Sequence, residues 1–170
     1  MANRIYIGDS KLVECINPYT NKWIVLWDTK KEITERGEEI TSHMSEVFNH
    51  KPTIEEIKNT ILSWYNSVIE NSITSSYVWQ DIPVWISKEN QLNYKIHYDL
   101  AMQSNGESLP IIFKLGTMDN PVYYEFKSLD ELSSFYTGAI RHIQTVLSKG
   151  WEWKDSIDWS IYEILLNSSI

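Results

Sequence analysis

Residues 51–71 read KPTIEEIKNTILSWYNSVIEN. Thr53 as N-cap and Glu56 three residues on form a capping box, each side chain answering a backbone N–H that the first helical turn leaves free. Ile54, Ile57, Ile61, Trp64 and Val68 then recur at spacings of three and four, which is the one-faced pattern of an amphipathic helix. The spacing predicts a helix running to about Asn71. Everything before Pro52 has a different pattern. Arg4 to Ile7 and Lys11 to Ile16 are short β-rich runs flanking a Gly8-Asp9-Ser10 turn, and Asn17-Pro18-Tyr19-Thr20-Asn21 is a second turn, since Asn-Pro initiates turns and Asn tolerates left-handed backbone. Lys22 to Trp27 is a further strand, and the polar arms around Arg36-Gly37 read as an exposed hairpin over 31–40. The change at Lys51-Pro52 therefore divides a small β-rich module, 1–51, from a larger α+β module, 52–170. A sheet of some 50 residues buries little by itself and calls for a covering surface.

Outward from the first helix, Val78 to Ile86 reads as two short strands about a tight turn, with Trp79 and Trp85 facing each other across it. Ser87 caps a helix from Lys88 to about Ser104. Its rows Leu92, Ile96, Leu100 and Tyr94, Tyr98, Ala101 are expected to widen the buried stripe, and Asn105-Gly106 ends it. Leu109–Leu115 and Val122–Phe126 form a second strand pair. Ser128 and Glu131 make another capping box, starting a helix with Leu132, Phe135, Tyr136, Ala139, Ile143, Val146 and Leu147 on one face, stopped by Gly150. A last helix, capped by Asp155, carries Ile157, Ile161, Ile164 and Leu165. The fold class is α+β: an N-terminal antiparallel sheet, then a helical module with two short hairpins in ββα-ββα order.

Composition narrows the function. The 170 residues carry 15 Lys+Arg against 23 Asp+Glu, net −8, and the excess of acid falls after residue 51. Such a balance disfavours wrapping nucleic-acid backbones, where affinity comes from clustered cations. The single Cys15 makes no internal disulfide and sits beside no cation, so it reads as a structural thiol of a protein folded in a reducing cytoplasm. No signal-peptide core and no 18-residue apolar run is present, so no membrane association is expected.

Signs of catalysis are sparse. There is no glycine-rich phosphate loop and no Gly-x-Ser-x-Gly elbow. His97 and Asp99 would point apart on a helix, and His43 and His50, seven residues apart, lack further ligands. Asp155 and Asp158 with Glu152 sit where capping alone accounts for acid. The chain reads as no enzyme, without cofactor or metal. The unusual feature is eight Trp. Trp151 and Trp153 alternate in a stretch read as irregular, with Trp159 close behind, and Trp23 and Trp27 flank the strand of the first module. These five are the candidate partner-contact residues, because Trp dominates interface hot spots; sugar stacking is the rival use.

Four stretches then resemble a known group of sequences. Val78-Trp79-x-Asp81-x-Pro83-Val84-Trp85-Ile86-Ser87-x-Glu89-Asn90-Gln91-x-Asn93-Tyr94-Lys95 is the longest. The others are Leu109-Pro110-x-x-Phe113-Lys114-x-Gly116, Pro121-Val122-Tyr123, and Gly150-Trp151-x-x-Lys154-Asp155-x-Ile157-Asp158-Trp159. Over residues 52–165 the chain resembles an uncharacterised domain family of small phage and prophage proteins of gut bacteria, encoded among virion structural genes near tail-fibre or receptor-binding genes. The resemblance implies a phage structural or assembly protein (a tail or tail-fibre accessory protein, or its chaperone), with a larger virion protein as partner in a homo- or hetero-oligomer. It implies residence in the host cytoplasm during assembly, and in the virion for a structural part. It carries over no catalytic residue. The alternatives are a carbohydrate or small-ligand binding module of the particle and a host-takeover factor.

Overall fold

The computed structural model describes residues 2–8, 10–35 and 37–168. Asp9 of the expected first turn and Arg36 of the expected hairpin lie outside them. The architecture is mixed α+β, with a four-stranded antiparallel sheet first and helices with two small hairpins after it. Two compact units form: Met1–Tyr65 with Ser156–Ile170, and Asn66–Asp155. The pattern change at Lys51-Pro52 is the junction between sheet and first helix, whereas the units divide inside that helix and again at residue 155.

In the first unit, β1 (Asn3–Tyr6), β2 (Val13–Asn17), β3 (Lys22–Ile33) and β4 (Glu39–Phe48) pair in the order β1-β4-β3-β2. The strands on either side of the expected first turn thus lie at opposite edges of the sheet instead of forming a hairpin. The β3–β4 hairpin is the centre, its ladder running from Trp23↔Phe48 to Ile33↔Glu39. Thr34 closes the tip by donating its N–H to Glu38 O and accepting from Gly37 N, both at 2.8 Å. The hairpin over 31–40 is present, but its arms extend far beyond that range. Thr41–Phe48 escaped the sequence reading because Thr-Ser-His-Met-Ser-Glu shows no apolar alternation. A bulge interrupts the ladder between Trp27 and Lys30, with Asp28 in left-handed backbone at φ 47°. Arg4 pairs with the Asp28 carboxylate and donates to Asp28 O and Ser42 Oγ, each at 3.1 Å, tying β1 to the bulge.

The sheet's cover comes from the chain itself. Ile57 and Ile61 of α1 (Ile54–Ser75) and Tyr162 and Leu166 of α4 (Trp159–Ser168) close over Val13, Trp23, Val25, Trp27 and Met44. Tyr162 is 4 % exposed and its hydroxyl donates to Leu26 O at 3.0 Å; burial raises its pKa. The cap of α4 is Asp158, whose Oδ1 accepts from Ser160 N at 3.0 Å, while Asp155, the expected cap, is the last residue of the preceding helix.

The second unit packs α2 (Lys88–Gln103) and α3 (Leu129–Asp155) with the hairpins β5–β6 (Tyr77–Trp79, Ile82–Val84) and β7–β8 (Ile111–Gly116, Pro121–Phe126). Phe135 of α3 is fully buried, with the rings of Trp79, Tyr94, Phe113 and Phe126 all within 6 Å of its own. In the β5–β6 register Trp79 faces Ile82 and Tyr77 faces Val84. Trp85 falls beyond the ladder and is 54 % exposed, so the expected Trp79–Trp85 pair does not form. Gly150 does not stop α3. It is a buried helical residue where an added Cβ would stand 2.3 Å from Ile69 Cδ1; close packing of α3 on α1 requires its missing side chain and overrides the stop signal.

The first capping box forms in full; at the second, Ser128 Oγ accepts from Glu131 N at 3.3 Å, but the Glu131 carboxylate accepts from Lys127 N at 3.4 Å instead of from Ser128 N. Thr53 N and Oγ1 donate to Glu56 Oε2 at 2.8 and 2.9 Å, Glu56 N donates back to Thr53 Oγ1 at 3.2 Å, and His50 Nε2 lies 2.9 Å from Glu56 Oε1. The Thr53 N–H is the largest cause, ahead of the Thr53 hydroxyl and His50, of a Glu56 pKa lowered to about 2. A lowered folded-state value means that the carboxylate's contribution to stability is complete above the ordinary 4.5 and is lost as pH falls toward 2. Glu56→Gln is therefore expected to flatten the pH dependence of the urea midpoint in that window and leave its shape at neutral pH unchanged.

A second expectation concerns Gly138, where a Cβ would stand 2.4 Å from Tyr77 Oη. That phenol is 9 % exposed and donates to Phe135 O at 3.1 Å, so it cannot swing aside. Gly138→Ala should destabilise by about 1–2 kcal/mol, overpacking outweighing the gain of about 1 kcal/mol in helix propensity. Adding Tyr77→Phe should cost less in the Ala background than alone, by urea denaturation in a double-mutant cycle.

Candidate contact surfaces

The five Trp singled out in the sequence do not converge. Trp23 and Trp27 are 5 % and 3 % exposed and belong to the first unit's core. Trp27 meets Trp64 edge to face at 6.1 Å, Trp23 donates Nε1–H to Asn21 Oδ1 at 2.8 Å, and Lys51 Nζ sits 5.3 Å over the Trp23 ring. Neither is available to a partner, because paired β3 and β4 residues point their side chains to one face and that face is covered. Trp159 is half-buried against the same core, with Lys58 Nζ 5.8 Å from its ring centroid. Trp151 and Trp153 are 56 % and 43 % exposed. They lie in α3, not in an irregular stretch, and residues two apart on a helix point about 200° away from each other. They are exposed at two separate places and form no shared platform.

A regular exposed apolar row lies elsewhere, on α2. On α2, Tyr94 and Ala101 are buried and Tyr98 packs beside them, stacked on Tyr136 at 4.5 Å. The other row faces out: Leu92 60 %, Ile96 54 % and Leu100 50 % exposed. The mixed periodicity of this helix thus marks one core row and one solvent row, and the buried stripe is not widened. The divided choice follows from size and polarity. Ala101 permits close approach to the core, and burial lifts the Tyr94 hydroxyl to about 12 where Phe113 and Phe135 surround its ring. Single exposed apolar residues are ordinary, but three in one row along two turns of helix are a surface with a use. The row was in view in the sequence; what could have singled it out was the pairing of two Tyr with Ala on the opposite face, a combination suited to tight packing.

Other candidates resolve into structural roles. His97 lies 5.7 Å from Phe113, centroid to centroid, and Asp99 pairs with Lys95. His43 is 3 % exposed in β4, its Nδ1 2.9 Å from Thr29 Oγ1. Among the described residues no group of three or more His, Cys, Asp or Glu is placed to hold a metal ion, and no helix is long and apolar enough to cross a membrane. A cleft of about 310 Å³ in the first unit is lined by Trp27, Asp28, Tyr65, Asp158 and Tyr162 among others, yet Trp27 and Tyr162 are 3 % and 4 % exposed and offer no open ring face to a sugar. No family model, curated protein or solved structure matches the chain.

The two classes of Trp are separable by experiment. Trp27→Ala should cost about 3–5 kcal/mol of folding stability, as expected for a large core truncation, whereas Trp151→Ala should change it by less than about 1 kcal/mol. Chemical denaturation of the two variants checks this.

Proposed function

We propose that the chain works by protein–protein contact, as a structural or assembly component of a phage particle, and that α2 presents a principal contact surface. The observation that carries this is the outward row of Leu92, Ile96 and Leu100 on a helix whose other side completes a closed aromatic core. The unit has its own closed core and still holds this row of large aliphatic side chains in water, a cost that association removes. Trp151 and Trp153 supply further contact points. The viral part of the proposal is supported by the motif resemblance at residues 78–95, 109–116, 121–123 and 150–159, and the partner it implies is a larger tail or tail-fibre protein.

The test is quantitative mass spectrometry of purified virions and of assembly intermediates recovered with the tagged chain from producing cells. A fixed copy number in virions marks a structural part; presence only in intermediates marks an assembly factor. Ile96→Asp should weaken recovery of the virion partner by about 30-fold, the equivalent of a hot spot of about 2 kcal/mol. A wild-type chain absent from both fractions, or an Ile96→Asp chain recovered like wild type, overturns the proposal.

A further inference from the structure

We infer that the first unit carries a binding site for a small phosphate-bearing ligand, on the side of its sheet opposite α1 and α4. The site involves no residue of α2 and is independent of the contact reading above. The bulge in β3 creates it. Between Trp27↔Met44 and Lys30↔Ser42, the two residues Asp28 and Thr29 stand against the single His43, and a bulge of this kind re-aims the side chains at it. Asp28 carries its carboxylate to Arg4, whose strand partner is Met44 of the covered face. Thr29 instead meets His43, Oγ1 to Nδ1 at 2.9 Å. Thr41 and His43, two apart in β4, share the face opposite to that of Met44, and Lys31 stands across from Thr41 in the ladder. Because β1 and β2 lie at opposite edges of the sheet, the chain between them passes from one edge to the other, and Ser10 and Lys11 come beside these residues. Together they line a cleft of about 410 Å³, a size within the range of small-molecule sites.

His43 gives an independent reason to expect a ligand there. The ring is 3 % exposed, and only Nδ1 is accounted for: Nε2 is shut off from solvent and has no hydrogen-bond partner in the protein. Buried polar atoms without a partner are uncommon, and a water or a bound ion is their usual completion. With the Thr29 hydroxyl donating to Nδ1, the ring carries its proton on Nε2 and offers it as a donor. The other lining groups give the chemical class. Ser10 and Thr41 bring hydroxyls and Lys11 and Lys31 bring ammonium groups, and among the described lining residues none is acidic, in a chain whose net charge is −8. Donors from three segments, with cationic charge and no carboxylate, suit the several acceptor oxygens of a phosphate. The cleft of about 310 Å³ that shares Leu12 and Thr29 with this one has Asp28 and Asp158 in its lining, so the preference for an anion belongs to the His43 side alone. Glu39 holds Lys31 at 2.9 Å and competes with the ligand for it; both side chains are exposed, so the pair is a weak one.

The experiment is a titration of the full chain with inorganic phosphate, and separately with glycerol phosphate, at constant ionic strength. The His43 imidazole is followed in a long-range proton–nitrogen NMR spectrum and identified by its loss in His43→Gln. Where that buried variant does not fold, His50→Gln, His97→Gln and His142→Gln identify it by elimination. The His43 signals should shift saturably, with a midpoint of about 1 mM or lower, and sodium chloride at the same ionic strength should not move them. Lys11→Gln should weaken binding about tenfold, and Glu39→Gln, which releases Lys31, should tighten it severalfold. Lys149→Gln, on an exposed lysine of the other unit, should leave it unchanged. These three side chains are exposed, and circular dichroism confirms the fold of each variant. Binding of inorganic phosphate as tight as that of the ester marks a free-ion site, and tighter binding of glycerol phosphate marks an organic phosphate; either result supports the inference. It is overturned by a His43 signal unmoved up to about 20 mM phosphate, by an equal shift with chloride, or by an affinity indifferent to Lys11→Gln, and a water is then the partner of Nε2.

Discussion

The first unit depends on a cover that the chain supplies from two distant places. The β3–β4 hairpin presents Trp23, Val25, Trp27 and Met44 on one face, and a sheet of this size with that face wet would not hold. The first turns of α1 come directly after β4 and bring Ile57 and Ile61. The remainder arrives with α4, more than ninety residues later, and the hydrogen bond from Tyr162 to Leu26 O spans 136 positions. The second unit is thereby a sequence insertion within the first, entered through α1 and left after α3. Contacts of such separation form against a large loop-closure cost, so the hairpin and the capped start of α1, both local, are the natural early structure, with α4 completing the core.

In the second unit the organising feature is the crowd of rings about Phe135. Ring pairs at 4.9–5.8 Å and inclined geometries gain quadrupole attraction beyond simple burial, and the two hairpins and α2 are each pinned by one aromatic at least. That arrangement explains why α2 turns Tyr94 and Tyr98 inward and leaves its leucines outside. Tyr94 and Ala101 of α2 are the residues that enter this core, beside Val84, Ile86, Ile111, Leu115 and Leu132 from the other elements. The outward row is consequently the side of α2 that this core does not use.

Local signals were legible in the sequence and long-range ones were not. Thr53/Glu56 and Ser128/Glu131 announced two helix starts because capping is settled within four residues. Asn105-Gly106 announced the end of α2, with φ values of 50° and 89°. The α+β class followed from the same signals. Sheet order could not be read, because β1 pairs with β4, forty residues away, through backbone groups that every residue shares. β4 itself was hidden, since Ser42, His43 and Ser45 are buried by their position between β1 and β3 and not by hydrophobicity. Gly150 misled for a related reason: as a stop signal it is local, but Ile69 on another helix decides its role.

The tryptophans show where a compositional argument about function fails and what replaces it. An excess of Trp implies an aromatic surface only where alternating indoles cannot all point inward. In a strand paired in register, alternation is the condition for pointing the same way, and Trp23, Val25 and Trp27 do so into the core. In a helix the same alternation sends Trp151 and Trp153 to different sides. The exposed row on α2 is aliphatic and regular. Regularity is what distinguishes it, since a row at i, i+4 and i+8 fits only a partner with matching periodicity, and a helix is the element that has one.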